Sequence, residues 1–162
     1  FIAEGVGEKD SWREFIDSDF KGNLSAVRKV KLLPPDILEQ VERFYTEHED
    51  ILDFHDPRLI HGDLCFANII IKNEKISGII DASDSMSGDP MYDLGVINQH
   101  TFRRKGLMDY FFKGYGKVDT RKVNFYSLVH AIWLTNFHGL IHKNKQELKK
   151  DIDSIEYYLS LS

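Results

Sequence analysis

Apolar residues recur at two periods along this chain, and the switches between them divide it into three parts. Up to about residue 52 the period is helical. Asp10-Ser11 precedes Trp12, Phe15, Ile16 and Phe20, a stripe that one helix face carries, with Asp10 or Ser11 as its N-cap. The Trp and Phe side chains of that stripe read as core. Lys21-Gly22-Asn23 is either a break or a mild interruption, after which Leu24, Val27, Val30 and Leu33 resume the spacing. Pro34-Pro35-Asp36 then starts a second helix. Its buried face takes Ile37, Leu38, Val41, Phe44 and Tyr45, and it ends near Ile51-Leu52. Phe1 to Lys9 has no period and reads as a loop or a severed end, and Asp53 to Pro57 reads as a loop.

The pattern changes over residues 58–81. Leu59-Ile60, Ile69-Ile70-Ile71 and Ile76 to Ile80 are short β-branched runs of the kind that buried strands carry. The polar Lys72-Asn73-Glu74-Lys75 between the last two predicts a hairpin. A loop of small polar residues follows from Asp81 to Gly88. Beyond it the period is helical again. Asp89-Pro90 predicts a helix start, with Asp89 as N-cap, Pro90 at the first helical position and Asp93 favouring the helix dipole. Leu94, Val96 and Ile97 continue it. Leu107 to Tyr115 is a further helix ended by Gly114 and Gly116. Asp119-Thr120 caps a long one through Val123, Tyr126, Leu128, Val129, Ile132, Trp133 and Phe137. An amphipathic cover helix closes the chain at about Lys145 to Leu159. The expected class is α+β, mainly α: one domain, a helical bundle carrying a small hairpin.

Composition narrows the function. At 162 residues the chain can bury one core. A single cysteine, Cys65, excludes an internal disulfide and suits a reducing, cytoplasmic compartment. No apolar run reaches the length that spans a bilayer, and no signal peptide is visible. The net charge of −5 hides an asymmetry: residues 1–100 carry 10 Lys+Arg against 20 Asp+Glu, and residues 101–162 carry 11 against 6. The acidic part favours a cationic small substrate or a metal-bound nucleotide and disfavours nucleic acid.

The chemistry gathers at the hairpin. Asp63 and Asn68 lie five residues apart on the loop leading into it, and Asp81 ends its return strand. A hairpin folds the chain back, so two carboxylates and an amide oxygen converge at one mouth. Asn68 and Asp81 are hard oxygen donors suited to Mg²⁺, leaving Asp63 to orient an attacking hydroxyl. That is the phosphoryl-transfer layout of kinases. Without such a role, Asp63 and Asn68 would simply satisfy loop backbone groups. Asp84 either faces solvent or points into the site. Cys65 has no base–orienter pair and reads as packing. His130, His138 and His142 have metal-compatible spacing but no carboxylate or Cys nearby in sequence to complete a set, and ordinary packing is preferred. His55-Asp56 is followed directly by Pro57, which argues against a helix-held metal pair.

Three motifs together carry a resemblance. His61-Gly62-Asp63-Leu64-x-x-x-Asn68-Ile69, Gly78-Ile79-Ile80-Asp81 and Gly88-Asp89-Pro90-x-x-Asp93-Leu94 resemble, in order and spacing, the aminoglycoside phosphotransferase family, which includes choline-kinase-like enzymes. The resemblance implies the C-terminal helical lobe of a protein-kinase-like fold, with ATP as donor and Mg²⁺ as metal. It implies Asp63 as catalytic base, Asn68 and Asp81 as metal and nucleotide-phosphate ligands, and His61 as a loop-supporting residue. Ala82-Ser83 departs from the family, where an aromatic followed by Gly is common. Neither a Gly-rich phosphate loop nor a strand lysine is found, so the chain is expected to begin inside the C-terminal lobe. The expected partners are a nucleotide, a small and cationic hydroxyl acceptor such as an aminoglycoside, and an N-terminal lobe, without nucleic acid or membrane. Two other readings stand beside it: a non-catalytic kinase-like binding module or fragment, inactive alone, and a metal-dependent phosphohydrolase using His61 and Asp63.

Overall fold

Ser11 starts the first helix, its hydroxyl accepting the backbone N–H of Glu14. The structure, a computed structural model, describes residues 9–101 and 106–161. The expectation for Phe1 to Lys9 therefore lies outside the described residues up to residue 8. Helix α1 runs Trp12–Lys29 without a break at Gly22. Its seam of Ile16, Phe20, Leu24 and Val27 is buried, so packing along the stripe overrides the weak propensity of Gly and Asn. Val30 is the C-cap and is exposed, while Leu33 is buried from the connecting loop. Helix α2, Pro35–Glu47, begins at the proline pair and is followed by a 3-10 turn at Glu49–Leu52.

The C-terminal helices follow the sequence pattern closely: α3 Met91–Thr101, α4 Leu107–Tyr115, α5 Thr120–Asn136 and α6 Lys145–Leu159. Asp119 caps α5, accepting the N–H groups of Arg121 and Lys122. Helix α5 is buried on nearly every side, with α1, α3 and α6 packed around it. An all-round apolar helix is stable only in such a position. Gly95 lets α3 approach it closely, since a Cβ there would lie 2.5 Å from the Cβ of Tyr126. Aromatic packing continues outward: Phe20 and Tyr45 stack at 3.9 Å, joining α1 to α2.

Several polar groups inside the bundle are paired, while His130 Nε2 and Gln99 Oε1 are buried without a hydrogen-bond partner among the described residues. Trp12 Nε1 donates to the Tyr126 hydroxyl at 2.8 Å, and that hydroxyl donates to Asp89 Oδ2 at 3.3 Å. Asp89 is buried, caps α3 through the N–H of Met91, and forms an ion pair with Lys122 at 2.7 Å. Its expected capping role is therefore one part of a network joining α1, α3 and α5. His138 does meet a carboxylate: Asp151, thirteen residues on in α6, lies 2.7 Å from its Nδ1. That pairing corrects the expectation that no acid completes the histidines, and only the packing of α6 over a π-turn at Phe137–Ile141 creates it. His130 is buried and stacks on Trp133. Among the described residues, no helix is long and apolar enough to cross a membrane.

Among the described residues, four short strands form two antiparallel ladders: β1 Arg58–Ile60 pairs with β4 Met86–Gly88, and β2 Ile69–Lys72 pairs with β3 Lys75–Ile79. The inner hairpin turns at Asn73 and Glu74, both left-handed (φ 51° and 60°), as a tight hairpin turn requires. Strand β4 lies where the sequence predicts loop. Apart from Ile60, which joins the core, much of these runs is exposed: Leu59, Ile71 and Ile76 are 76%, 67% and 68% exposed. A run of isoleucines predicts strand, but nothing local states which other surface covers it.

Candidate active site

The two ladders are nested, and nesting builds the site. The outer pair holds β1 and β4, the inner pair β2 and β3, so the connections 61–68 and 80–85 lie side by side. His61 Nε2 donates to the carbonyl of Ile80 at 2.9 Å, and the Ile80 N–H donates to the carbonyl of Asn68 at 2.9 Å. Gly62 is left-handed (φ 83°), and a Cβ there would sit 2.2 Å from the Asp84 carbonyl oxygen. Only glycine permits that approach.

Helix α3 grips the same loop. Asp93 Oδ2 accepts the N–H of His61 at 2.7 Å and Oδ1 accepts that of Gly62 at 2.9 Å. The expectation of a simple dipole partner in the first turn therefore gives only part of its role. Burial pushes the Asp93 carboxyl above the ordinary range, opposed by the two N–H groups and by His61.

Asp63 and Asn68 are in direct contact. The Asn68 amide nitrogen donates to Asp63 Oδ2 at 3.0 Å and to the Asp63 carbonyl at 2.9 Å. Both acceptors are oxygens, so the nitrogen is committed to Asp63 and the amide oxygen faces elsewhere. Asp81 follows Ile80 directly, beside Asn68, is exposed, and adopts a left-handed conformation with φ 62° that Asp tolerates. Its Oδ1 accepts from Ser83 at 3.2 Å. The oriented amide oxygen of Asn68 and the Asp81 carboxylate fit the oxygen-donor requirement of Mg²⁺. His61 braces Ile80, and its Nδ1 is buried without a hydrogen-bond partner. With Nε2 committed to a carbonyl, His61 is poorly set to share a metal with Asp63.

A cleft of about 1080 Å³ opens on Asp63 and Asp84, with Asp19, Tyr92, His130 and Trp133 also on its walls. Asp84 is thus both exposed and directed to the site. Asn68 and Asp81 stand outside this lining, at the root of the hairpin. Asp63 therefore lies between a cleft and an oxygen-donor pair. Burial raises the Tyr92 hydroxyl's pKa, and the fields of Asp19, Asp93, Asp84 and Asp63 add to it. Burial likewise raises Asp19. Spacing alone flagged none of Asp19, Tyr92 or Trp133, which read as ordinary helix positions.

Solved structures similar to this chain include aminoglycoside phosphotransferases. The apo form of a thermostable mutant of APH(4)-Ia superposes with a TM-score of 0.75 at 18% identity, covering 96% of this chain and 54% of that one. A ternary complex of the N202A form of that mutant with AMP-PNP and hygromycin B superposes at 0.71 with 19% identity, covering 96% and 54%. The GDP and kanamycin complex of APH(2")-IIIa superposes at 0.65 with 21% identity, covering 93% and 52%. The chain thus spans about half the length of these structures and carries the helical part of their protein-kinase-like fold. The family model described as "Phosphotransferase enzyme family" matches residues 6–126. The chain belongs to that phosphotransferase enzyme family.

Proposed function

We propose that this chain is the C-terminal catalytic lobe of a small-molecule kinase. In the intact protein it moves the γ-phosphate of ATP to a hydroxyl of a cationic acceptor, an aminoglycoside first among them. The observation that carries the reading is the Asp63–Asn68 contact at the root of the hairpin whose return strand leads into Asp81. Asp63 takes the cleft side and accepts the proton of the acceptor hydroxyl as its oxygen attacks phosphorus. Asn68 orients that carboxylate through its amide nitrogen. Its oxygen and the Asp81 carboxylate would hold Mg²⁺, which would supply positive charge to offset that of the phosphates. Asp93, through the His61 and Gly62 N–H groups, holds the loop at a fixed distance from α3.

The acceptor class rests on charge. Asp19, Asp63 and Asp84 place carboxyl groups on a cleft that also offers the Trp133 and Tyr92 rings, a surface suited to ammonium groups on a ring scaffold. Hygromycin B and kanamycin, each bound in one of the similar structures, agree in kind.

The test is phosphate transfer from ATP to a panel of aminoglycosides by the intact protein. Asp63→Asn is expected to lower kcat by about 10²–10⁴ while the unfolding midpoint stays close to that of the parent. Near-parental turnover in that variant removes Asp63 from the reaction. Phosphate release without any nucleotide would instead favour a phosphohydrolase, and nucleotide binding without transfer would favour a binding module.

A further inference from the structure

Cys65 has no part in the reaction proposed above, yet it stands two residues from Asp63 on the same loop. The fold adds a third donor from a different element. His100, near the end of α3, comes to this loop, and one ligand atom from each of Asp63, Cys65 and His100 lies within 4.8 Å of the other two. Cys65 is half-buried and is the only cysteine in the chain.

The donor types are informative. Sulfur and imidazole nitrogen are poor ligands for Mg²⁺ and good ones for Zn²⁺. A tetrahedral ion with bonds of about 2.0–2.3 Å separates its ligands by about 3.3–3.8 Å. The three groups therefore need to close by roughly one ångström, a distance that side-chain rotation supplies. Asn68 already donates a hydrogen bond to Asp63, as an outer partner steadies a metal ligand.

We propose that Asp63, Cys65 and His100 form a three-ligand Zn²⁺ site, separate from the Asn68–Asp81 oxygen pair, with its fourth position open. On binding, the Cys65 thiol releases its proton to solvent and the thiolate sulfur gives its electron pair to the ion. Zinc and an acceptor hydroxyl would compete for Asp63, so occupancy blocks phosphate transfer. That consequence rests on the function proposed above; the site itself does not.

The experiment is alkylation of Cys65 by iodoacetamide in the 162-residue chain, with no metal, with stoichiometric Zn²⁺, or with the same amount of Mg²⁺. Zinc is expected to slow the reaction by at least about tenfold and magnesium to leave it unchanged. Co²⁺ serves as a spectroscopic substitute: a thiolate-to-cobalt charge-transfer band is expected in the parent and absent in Cys65→Ser. His100→Ala, or His100→Gln if the first does not fold, is expected to weaken Co²⁺ binding by at least about tenfold. Unprotected alkylation in zinc, or full Co²⁺ affinity in the folded His100 variant, overturns the site. Zinc binding to other histidines does not shield Cys65 and so cannot imitate the result. Protection of Cys65 without inhibition of the intact protein would leave the site standing and remove Asp63 from catalysis.

Discussion

The bundle around α5 and the lip formed by residues 61–68 and 80–85 are held together by different forces. In the bundle, Phe125, Tyr126, Leu128 and Ile132 are fully enclosed, and burial of apolar surface dominates. In the lip, hardly any apolar surface is covered. Position there depends on single hydrogen bonds: Asp93 to two backbone N–H groups, His61 to Ile80, Asn68 to Asp63. Two residues of the lip, Gly62 and Asp81, also take left-handed conformations. The bundle provides stability, and the lip uses it to hold polar groups in a geometry they would not adopt alone. Damage to the first should therefore read out in unfolding, and damage to the second in turnover.

The largest expected effect lies in the bundle. Phe125→Ala leaves a cavity among Phe44, Tyr45 and Tyr126 and should cost about 3–5 kcal/mol in denaturant unfolding. A loss below about 1 kcal/mol would mean that the core collapses around the gap and that the contrast is overdrawn.

Acid sharpens the same contrast. Burial lowers the pKa of His130 to about 3, helped by the nearby His100 and His138. A neutral histidine in the fold and an ordinary one in the unfolded chain make its contribution full above pH about 6.5 and progressively lost as pH falls toward about 3. The slope from this group approaches about 1.4 kcal/mol per pH unit. His130→Phe keeps the stack on Trp133 and should flatten the acid limb of stability measured by thermal unfolding. Asp151, raised to about 6 mainly by burial, acts in the opposite sense and loses its contribution as pH rises from about 4 through about 6. An unchanged acid limb in His130→Phe would assign it to other groups.

In the lip, Asp93→Asn leaves one of two loop N–H groups without an acceptor. The stability cost should be about 1–3 kcal/mol. Turnover of the intact protein should fall by about 10², because Asp63 loses its fixed distance from the bundle. Comparable losses in both measurements would make Asp93 a bundle residue in energetic terms. The smallest effect belongs to the outer face of the hairpin. Ile71→Thr changes a side chain that is 67% exposed and should move the unfolding free energy of this chain by less than about 0.5 kcal/mol.

Much of the fold is legible along the chain because its signals are short-ranged. Ser11 and Asp119 cap helices through N–H groups two or three residues away. The Pro34-Pro35 pair and the polar turn before Lys75 act over a similar reach. The spacing of Asp63, Asn68 and Asp81 is also local, since one hairpin suffices to fold Asp81 back toward Asn68. Strand β4 is not legible, because Met86-Ser87-Gly88 has no strand preference and pairs only because β1 lies beside it. Exposure of the isoleucines is equally hidden, since a run of side chains does not state which surface faces it.

The amino-acid order alone determined where helices begin, that a hairpin interrupts them, and which three oxygen-bearing residues stand at its root. Each of these follows from backbone hydrogen bonding and side-chain period over a few residues. Tertiary structure alone decided that Asp93 grips the His61–Gly62 backbone, that Asp151 meets His138, and that His100 reaches Cys65 and Asp63. Those partners are separated by many residues. Nothing in local conformation selects one distant group over another until apolar packing has fixed the helices that carry them.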